Sequence, residues 1–192
     1  MKIGIIGGTF DPPHIGHLII ANEALHQLNL DKVYFMPNQE PPHKVRNDGA
    51  SGMERIHMLE MMIQKHPRFF IEPIELEREG RSYSYDTMKI LTETNKEDEY
   101  FFIIGGDMVE YLPKWYKIDE LVSIIQFVGV NRPGYSIETD YPIIPIEVPL
   151  IELSSTMLRE RLKSGQTVKY YLPDELIDYI KERGLYGATE GN

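Results

Sequence analysis

The sequence predicts a doubly wound, mostly parallel α/β sheet built as one domain over residues 1–192. Three observations carry that expectation. Short β-branched and aromatic runs alternate with amphipathic helical stretches along the chain. Ile3, Ile5 and Ile6 read as a buried strand, and Tyr100–Ile104 is apolar throughout, as a central strand covered on both faces must be. Both runs end in paired glycines, Gly7-Gly8 and Gly105-Gly106, at the strand ends where open α/β sheets bind ligands.

Composition sets the limits. Apolar content of 42% and charged content of 26% are ordinary for a globular domain of 192 residues. With no cysteine, disulfides, a zinc–thiolate site and a cysteine nucleophile are excluded, and a reducing compartment fits. No stretch approaches the roughly 20 apolar residues of a membrane span. The start, one Lys and then a strand, is unlike a signal peptide. The expectation is a cytoplasmic protein without a membrane partner. A net charge of −10 argues against general nucleic-acid binding. Anionic nucleotides would need local cations, oriented amides and Mg²⁺ to overcome that field.

In chain order, Gly7-Gly8 stops the first strand, and Pro12-Pro13 hold the following residues extended. A helix opens at about Ile15 and carries Leu18, Ile19, Ala21, Ala24, Leu25 and Leu28. Lys32–Met36 is a strand, and Asn38 to Lys44, with Pro41-Pro42, is a loop at its ligand end. Asn47 to Gly52 reads as a mobile loop. Arg55, Ile56, Met58, Leu59, Met62 and Ile63 mark an amphipathic helix whose methionines fill core. His57 and His66 read as surface or structural residues. Phe69–Ile71 is a strand, and Ile74 to Glu79 a further strand or extended edge.

Ser82 to Thr87 precedes a helix bearing Met88, Ile90 and Leu91, so its Ser and Asp residues suit caps. Asp107 follows the second glycine pair as either a ligand contact or a helix cap. Trp115, between Pro113, Lys114 and Tyr116, reads as a partly exposed platform. Ile118 to Val122 is a short helix, Ile124 to Val130 a buried strand, Asn131 to Gly134 a turn, and Ile143 to Val148 the last strand. Helices over 154–186 complete the domain. The first opens at Ser154-Ser155-Thr156 with Glu160 helping to cap it, and the second starts near Leu172 and ends near Gly184. Residues from Gly187 on read as frayed.

Two motifs carry chemistry. In the first, a glycine turn leads into a helix start, with His14 and His17 three apart on one face. Exposed amides and a helix N-terminus favour phosphate. The turn is neither the dinucleotide fingerprint nor a Walker loop. In the second, three hydroxyls precede Arg159 in the first turn of a helix. Capping accounts for one of them; amides, hydroxyls and a guanidinium together suit a pyrophosphate.

Gly7-Gly8-Thr9-Phe10-Asp11-Pro12-Pro13-His14-Ile15-Gly16-His17, with Ser154-Ser155-Thr156-x-x-Arg159, resembles the paired signature of the nucleotidylyltransferase superfamily. The Pro-Pro-His-Lys loop, Ser82 to Thr87, Gly105-Gly106-Asp107, Trp115-Tyr116 and Leu185-Tyr186 extend the likeness to the bacterial nicotinate mononucleotide adenylyltransferases. The resemblance implies a Rossmann-like nucleotidyltransferase fold. It implies transfer of AMP from ATP to nicotinate mononucleotide, giving nicotinate adenine dinucleotide and pyrophosphate, with Mg²⁺ held mainly through the ATP phosphates. By the same resemblance His14, His17 and Arg159 are catalytic. Gly7, Gly8, Thr9, Phe10, Gly106, Asp107, Ser154, Ser155 and Thr156 are on the ATP side, and Asn38, Lys44, Ser84, Trp115 and Tyr116 on the acceptor side. No protein metal ligand is expected, and a homodimer is admitted. Phosphopantetheine adenylyltransferase shares both motifs but not the Trp115-Tyr116 segment. Class I aminoacyl-tRNA synthetases share His-Ile-Gly-His but need a Lys-Met-Ser-Lys-Ser-like loop, absent here. Cytidylyltransferases carry a different second motif. A nicotinamide mononucleotide acceptor, or a non-catalytic nucleotide sensor on the same fold, are the other readings.

Overall fold

The structure, a computed structural model, describes residues 1–39, 49–78, 82–131, 139–149 and 151–188. Lys44, expected near the acceptor, and the turn residues 132–134 lie outside the described residues. Among the described residues the strands are β1 (Lys2–Gly8), β2 (Lys32–Pro37), β3 (Phe69–Ile71), β4 (Glu99–Gly105), β5 (Gln126–Asn131) and β6 (Ile143–Glu147). They form one sheet in the order β3-β2-β1-β4-β5-β6. Each neighbouring pair is parallel. The order reverses direction between β1 and β4, so a crevice opens beyond their C-terminal ends. Gly7-Gly8 and Gly105-Gly106 sit at that crevice.

Strand alternation divides the core into two. Val33 and Phe35 of β2, Phe101 and Ile103 of β4, and Val128 and Val130 of β5 face one side. There they meet α1 (Ile15–Gln27), α2 (Gly52–Ile63), α7 (Ser155–Lys163) and α8 (Asp174–Glu182). Met36, Tyr100, Phe102, Ile104 and Phe127 face the other side, against α4 (Ser84–Thr94) and α6 (Ile118–Ile124). Period-two burial on both faces is what a parallel sheet between helix layers requires. The C-terminal helices α7 and α8 thus share one core cluster with α1 and α2. No helix among the described residues is long and apolar enough to cross a membrane.

Several local expectations are corrected. β1 continues through Gly7 and Gly8, which pair with Met36 and Pro37 of β2, so the glycines end the strand from inside it. Within 49–52 the chain is tied down rather than loose. Ala50 N–H donates to Asp11 Oδ1, and Ser51 and Glu54 form a reciprocal capping box that starts α2 at Gly52. Ile74–Glu77 is a short helix, α3, because the Pro73 carbonyl accepts from Leu76 and Glu77 N–H. Tyr83 rather than Ser or Asp occupies the cap of α4, and Ser84 lies in its first turn. Gly105 occupies the cap of α5 (Gly106–Val109), which places Asp107 inside that helix. Ser154 caps α7 without help from Glu160: its Oγ accepts the N–H of Met157, which stands where a reciprocal capping side chain would. Gly187 and Ala188 are held, since Ala188 is buried and donates to the Leu185 carbonyl.

α3 and α4 are joined by a buried polar contact. Thr87 Oγ1 donates to Glu75 Oε1 at 3.0 Å and accepts from Arg78 Nη1 at 3.2 Å. Burial pushes the Glu75 carboxyl above the usual carboxylate range, with the Thr87 hydrogen bond and the Arg78 charge opposing it. The folded state therefore holds this proton to higher pH than the unfolded chain, whose glutamate titrates near roughly 4.3. Stability is lost as pH rises from that value through the folded pKa. Glu75→Gln keeps an acceptor for Thr87 and removes the penalty. Thermal melts of the two proteins should coincide near pH 4, and the variant should be the more stable at pH 7. A less stable variant at pH 7 would contradict this.

Candidate active site

The residues after β1 fold back across the end of the sheet. Phe10 adopts φ +52°, and its ring is buried at 2% exposure. A Cβ on Gly8 would stand 3.1 Å from that ring, so any larger residue would displace it by a few tenths of an ångström. The Phe10 ring meets the His17 imidazole edge-on at 5.0 Å. Phe10, expected beside ATP, is the surface on which the His17 ring rests. Thr9 is exposed at the tip of the turn.

His14 is the N-cap of α1, and its ring stacks on that of His17 at 3.7 Å. A Cβ on Gly16 would lie 3.0 Å from His14 Nδ1, so a side chain there would push the ring away from the first turn. His14 N–H donates to His17 Nδ1 at 3.1 Å. That bond makes Nδ1 an acceptor, so neutral His17 carries its proton on Nε2. His17 thereby becomes a hydrogen-bond donor at Nε2.

The start of α7 lies against the same turn. Ser155 Oγ donates to the Pro12 carbonyl at 2.8 Å. Arg159 Nη1 donates to the Asp11 carbonyl at 2.6 Å, and its Nη2 to Thr156 Oγ1 at 3.1 Å. All three expected hydroxyls thus have protein partners: Ser154 caps, Ser155 ties α7 to the turn, and Thr156 meets Arg159. A cleft of about 310 Å³ opens between the two motifs, lined by His14, Gly16, His17, Ser154 and Ser155 with Val130 and Val148 behind them. That size falls at the low end for small-ligand sites.

The remaining expected residues stand at neighbouring strand ends. Asn38 follows β2; its N–H donates to the Gly8 carbonyl, and its Oδ1 is buried without a hydrogen-bond partner among the described residues. Gly106 begins α5 beyond β4; the Asp107 side chain lies outside the description. Ser84, Trp115 and Tyr116 lie on the opposite side of the sheet from the cleft. Trp115 is half-buried, edge-on to Phe102 and Phe127 at 6.0 and 5.8 Å. Tyr83 and Tyr116 rings, 4.5 Å apart, bring the α4 start to the Trp115-Tyr116 segment.

Three supports escaped the sequence reading. Arg55, buried at 2%, donates through Nη1 to the Thr9 and Asn38 carbonyls at 2.8 and 2.9 Å, clamping the ends of β1 and β2. A charged residue in the apolar stripe Arg55-Met58-Leu59-Met62 was the available signal. Asp11, also 2% exposed, accepts at Oδ1 from Ala50 N–H and from Tyr186 Oη. Lys117 places its ammonium over the Tyr85 and Tyr116 rings at 4.7 and 5.4 Å, a cation beside the second group. Among the described residues no three His, Cys, Asp or Glu side chains assemble as a metal-binding group.

The cleft presents the two imidazoles and the start of α7, and the Arg159 guanidinium is tied to the same turn through the Asp11 carbonyl; donors and a cation so grouped are suited to stabilising phosphate charge. The cytidylyltransferase-like family matches residues 5–161. A probable nicotinate-nucleotide adenylyltransferase of Geobacillus thermodenitrificans is 56% identical over 187 residues, covering 97% of this chain and 87% of the relative. The nicotinate-nucleotide adenylyltransferase of Bacillus subtilis is 55% identical over 185 residues, covering 96% and 98%. Nicotinic acid mononucleotide adenylyltransferase of Plasmodium falciparum, solved in complex with NaAD, shares the fold with a TM-score of 0.78 at 21% identity, over 97% of each chain. With both signatures intact and the likeness running along nearly the whole chain, the protein belongs to the cytidylyltransferase-like family and, within it, to the nicotinate-nucleotide adenylyltransferases.

Proposed function

We infer that the protein transfers AMP from ATP to nicotinate mononucleotide, giving nicotinate adenine dinucleotide and pyrophosphate, in NAD biosynthesis. The observation that carries the reading is the His14–His17 pair facing the start of α7 across one cleft, with Arg159 tied to the same turn. A 5′-phosphate oxygen of the acceptor attacks the α-phosphorus of ATP in line. The bond from that phosphorus to the bridging oxygen breaks, and pyrophosphate leaves with the electron pair. Such transfer needs positioning and charge stabilisation above all.

His17 donates from Nε2 to the α-phosphate, and His14 supports it. The Gly7-Gly8 amides and Thr9 line the phosphate path. Arg159 and the amides of the first turn of α7 hold the leaving pyrophosphate. No protein group is assigned to Mg²⁺; bound with ATP, it would supply charge neutralisation at the phosphates. Gly106 and Asp107 serve the adenosine side, and Asn38 the mononucleotide. Nicotinate is read by the N–H groups of Ser84 and Tyr116, with Trp115 stacking on the ring and Lys117 supplying a nearby positive charge. Ser84 lies in the first turn of α4, whose N–H groups have no intrahelical acceptor. The reading places the enzyme in the cytoplasm, with ATP and nicotinate mononucleotide as its partners.

Pyrophosphate release from Mg-ATP, measured with a panel of phosphate acceptors, tests the reaction. Release with nicotinate mononucleotide is expected, and none with any acceptor would indicate a nucleotide sensor. Nicotinate mononucleotide should exceed nicotinamide mononucleotide in kcat/KM by on the order of 10⁴-fold, because a carboxamide NH₂ would face a backbone donor with another donor. Equal values would remove the two amides from acceptor recognition. His17→Ala should lower kcat by roughly 10²- to 10⁴-fold with a smaller change in ATP binding. A near-normal kcat would remove His17 from the chemistry. Arg159→Ala should weaken ATP and pyrophosphate together by about 10- to 100-fold, the worth of a charge-assisted bond. A rise confined to the mononucleotide KM would move Arg159 to the other half of the site.

A further inference from the structure

The C-terminal segment reaches back to the turn that carries the histidines. Beyond α8, Leu185–Gly187 makes a single 3-10 turn in which Tyr186 holds φ at +58°. A bulky residue enters that region only under constraint. The Tyr186 side chain is buried at 6% exposure. Its hydroxyl donates to Asp11 Oδ1 at 2.5 Å, joining residues 175 positions apart. Burial, and then the Asp11 charge, hold the phenol well above its usual pKa, so it remains the donor and the carboxylate the acceptor.

Asp11 connects this contact to the chemistry. Its side chain receives Tyr186 and the Ala50 N–H, while its main-chain carbonyl receives Arg159 Nη1 at 2.6 Å. A carbonyl can aim a guanidinium only if the peptide bearing it is fixed. The carboxylate of the same residue is the handle by which that peptide is fixed. A core phenylalanine would fill the same space as Tyr186 without the cost of burying a hydroxyl. Asp11 is the hydroxyl's close partner, with the Met58 sulfur farther off at 3.8 Å.

We propose that Tyr186 is a positioning residue for adenylyl transfer: through the Asp11 carboxylate it sets the Asp11 carbonyl that aims Arg159 at the leaving pyrophosphate. This rests on the adenylyltransferase reading given above. It makes the C-terminal turn part of the phosphate half of the site and leaves the acceptor half untouched.

The test is a double-mutant cycle of Tyr186→Phe and Arg159→Ala in the full chain, read as kcat/KM for Mg-ATP with saturating nicotinate mononucleotide. Tyr186→Phe alone should lower that value about 10-fold, as a small misplacement of a charged group does, and leave the mononucleotide KM within about twofold. On the Arg159→Ala background the same change should cost less than about twofold, because the residue it acts through is gone. A thermal melt establishes that the variants are folded at the assay temperature. Should Tyr186→Phe melt below it, Asp11→Asn, which weakens the same link at constant volume, takes its place in the cycle. Equal costs on both backgrounds would make the contact a stability staple and overturn the proposal. Unchanged ATP kinetics in folded Tyr186→Phe would do the same. If wild type turns over no nicotinate mononucleotide, the functional reading fails separately. Calorimetric titration with Mg-ATP alone then still reads the cycle through ATP affinity, with coupling expected and additivity contradicting it.

Discussion

The turn between Gly8 and His14 is held in place from three other parts of the chain, and the site depends on that restraint. Arg55 of α2 binds the Thr9 carbonyl, Ser155 and Arg159 of α7 bind the Pro12 and Asp11 carbonyls, and Tyr186 with Ala50 binds the Asp11 carboxylate. Each restraint comes from a residue that is distant in sequence and partly or wholly buried. Buried charge-assisted hydrogen bonds are costly to break, because the stranded partner loses both water and protein. The turn is thus over-determined, which lets Phe10 hold a positive φ and keeps His14 folded over Gly16.

That restraint has a chemical consequence. With His14 N–H on Nδ1, neutral His17 has no lone pair at Nε2 to offer an electrophile. The imidazole can donate to a phosphate but is not set up to attack one. The protein's part in the reaction is then to hold two substrates and stabilise charge, which requires donors fixed before the substrate arrives. The global charge of −10 opposes nucleotide binding, so local groups must outweigh it at short range. Arg159, held on the Asp11 carbonyl, and Lys117, over the Tyr116 ring, are the cations that the proposed reading assigns to the two halves of the site.

Much of this was legible in the chain. β-branched and aromatic runs marked the strands, and the two glycine pairs marked the crevice between β1 and β4. The spacing of His14 and His17 did bring the two rings together, but not as one helix face: His14 is the extended N-cap of α1, and its ring folds over the first turn to stack on His17. What the residues did not show arose from non-local pairing. Gly7 and Gly8 stay in β1 because β2 offers them Met36 and Pro37 as partners, a fact absent from their own neighbourhood. Ile74–Glu77 turned helical under the Pro73 carbonyl, where charge had suggested an edge strand. Arg55 was hidden within an ordinary amphipathic pattern, and Asp11 with Tyr186 gave no local sign of meeting. The tautomer of His17 rests on one hydrogen bond that no spacing rule specifies.

On the proposed reading, adenylyl transfer proceeds directly between the substrates, with His17 as donor and never as nucleophile. The stereochemical course at the α-phosphorus tests this most directly. ATP made chiral by sulfur at the α-phosphorus, turned over with nicotinate mononucleotide, should yield a dinucleotide of inverted configuration, as a single in-line displacement requires. Retention would mean two displacements through a covalent enzyme intermediate and would contradict the account.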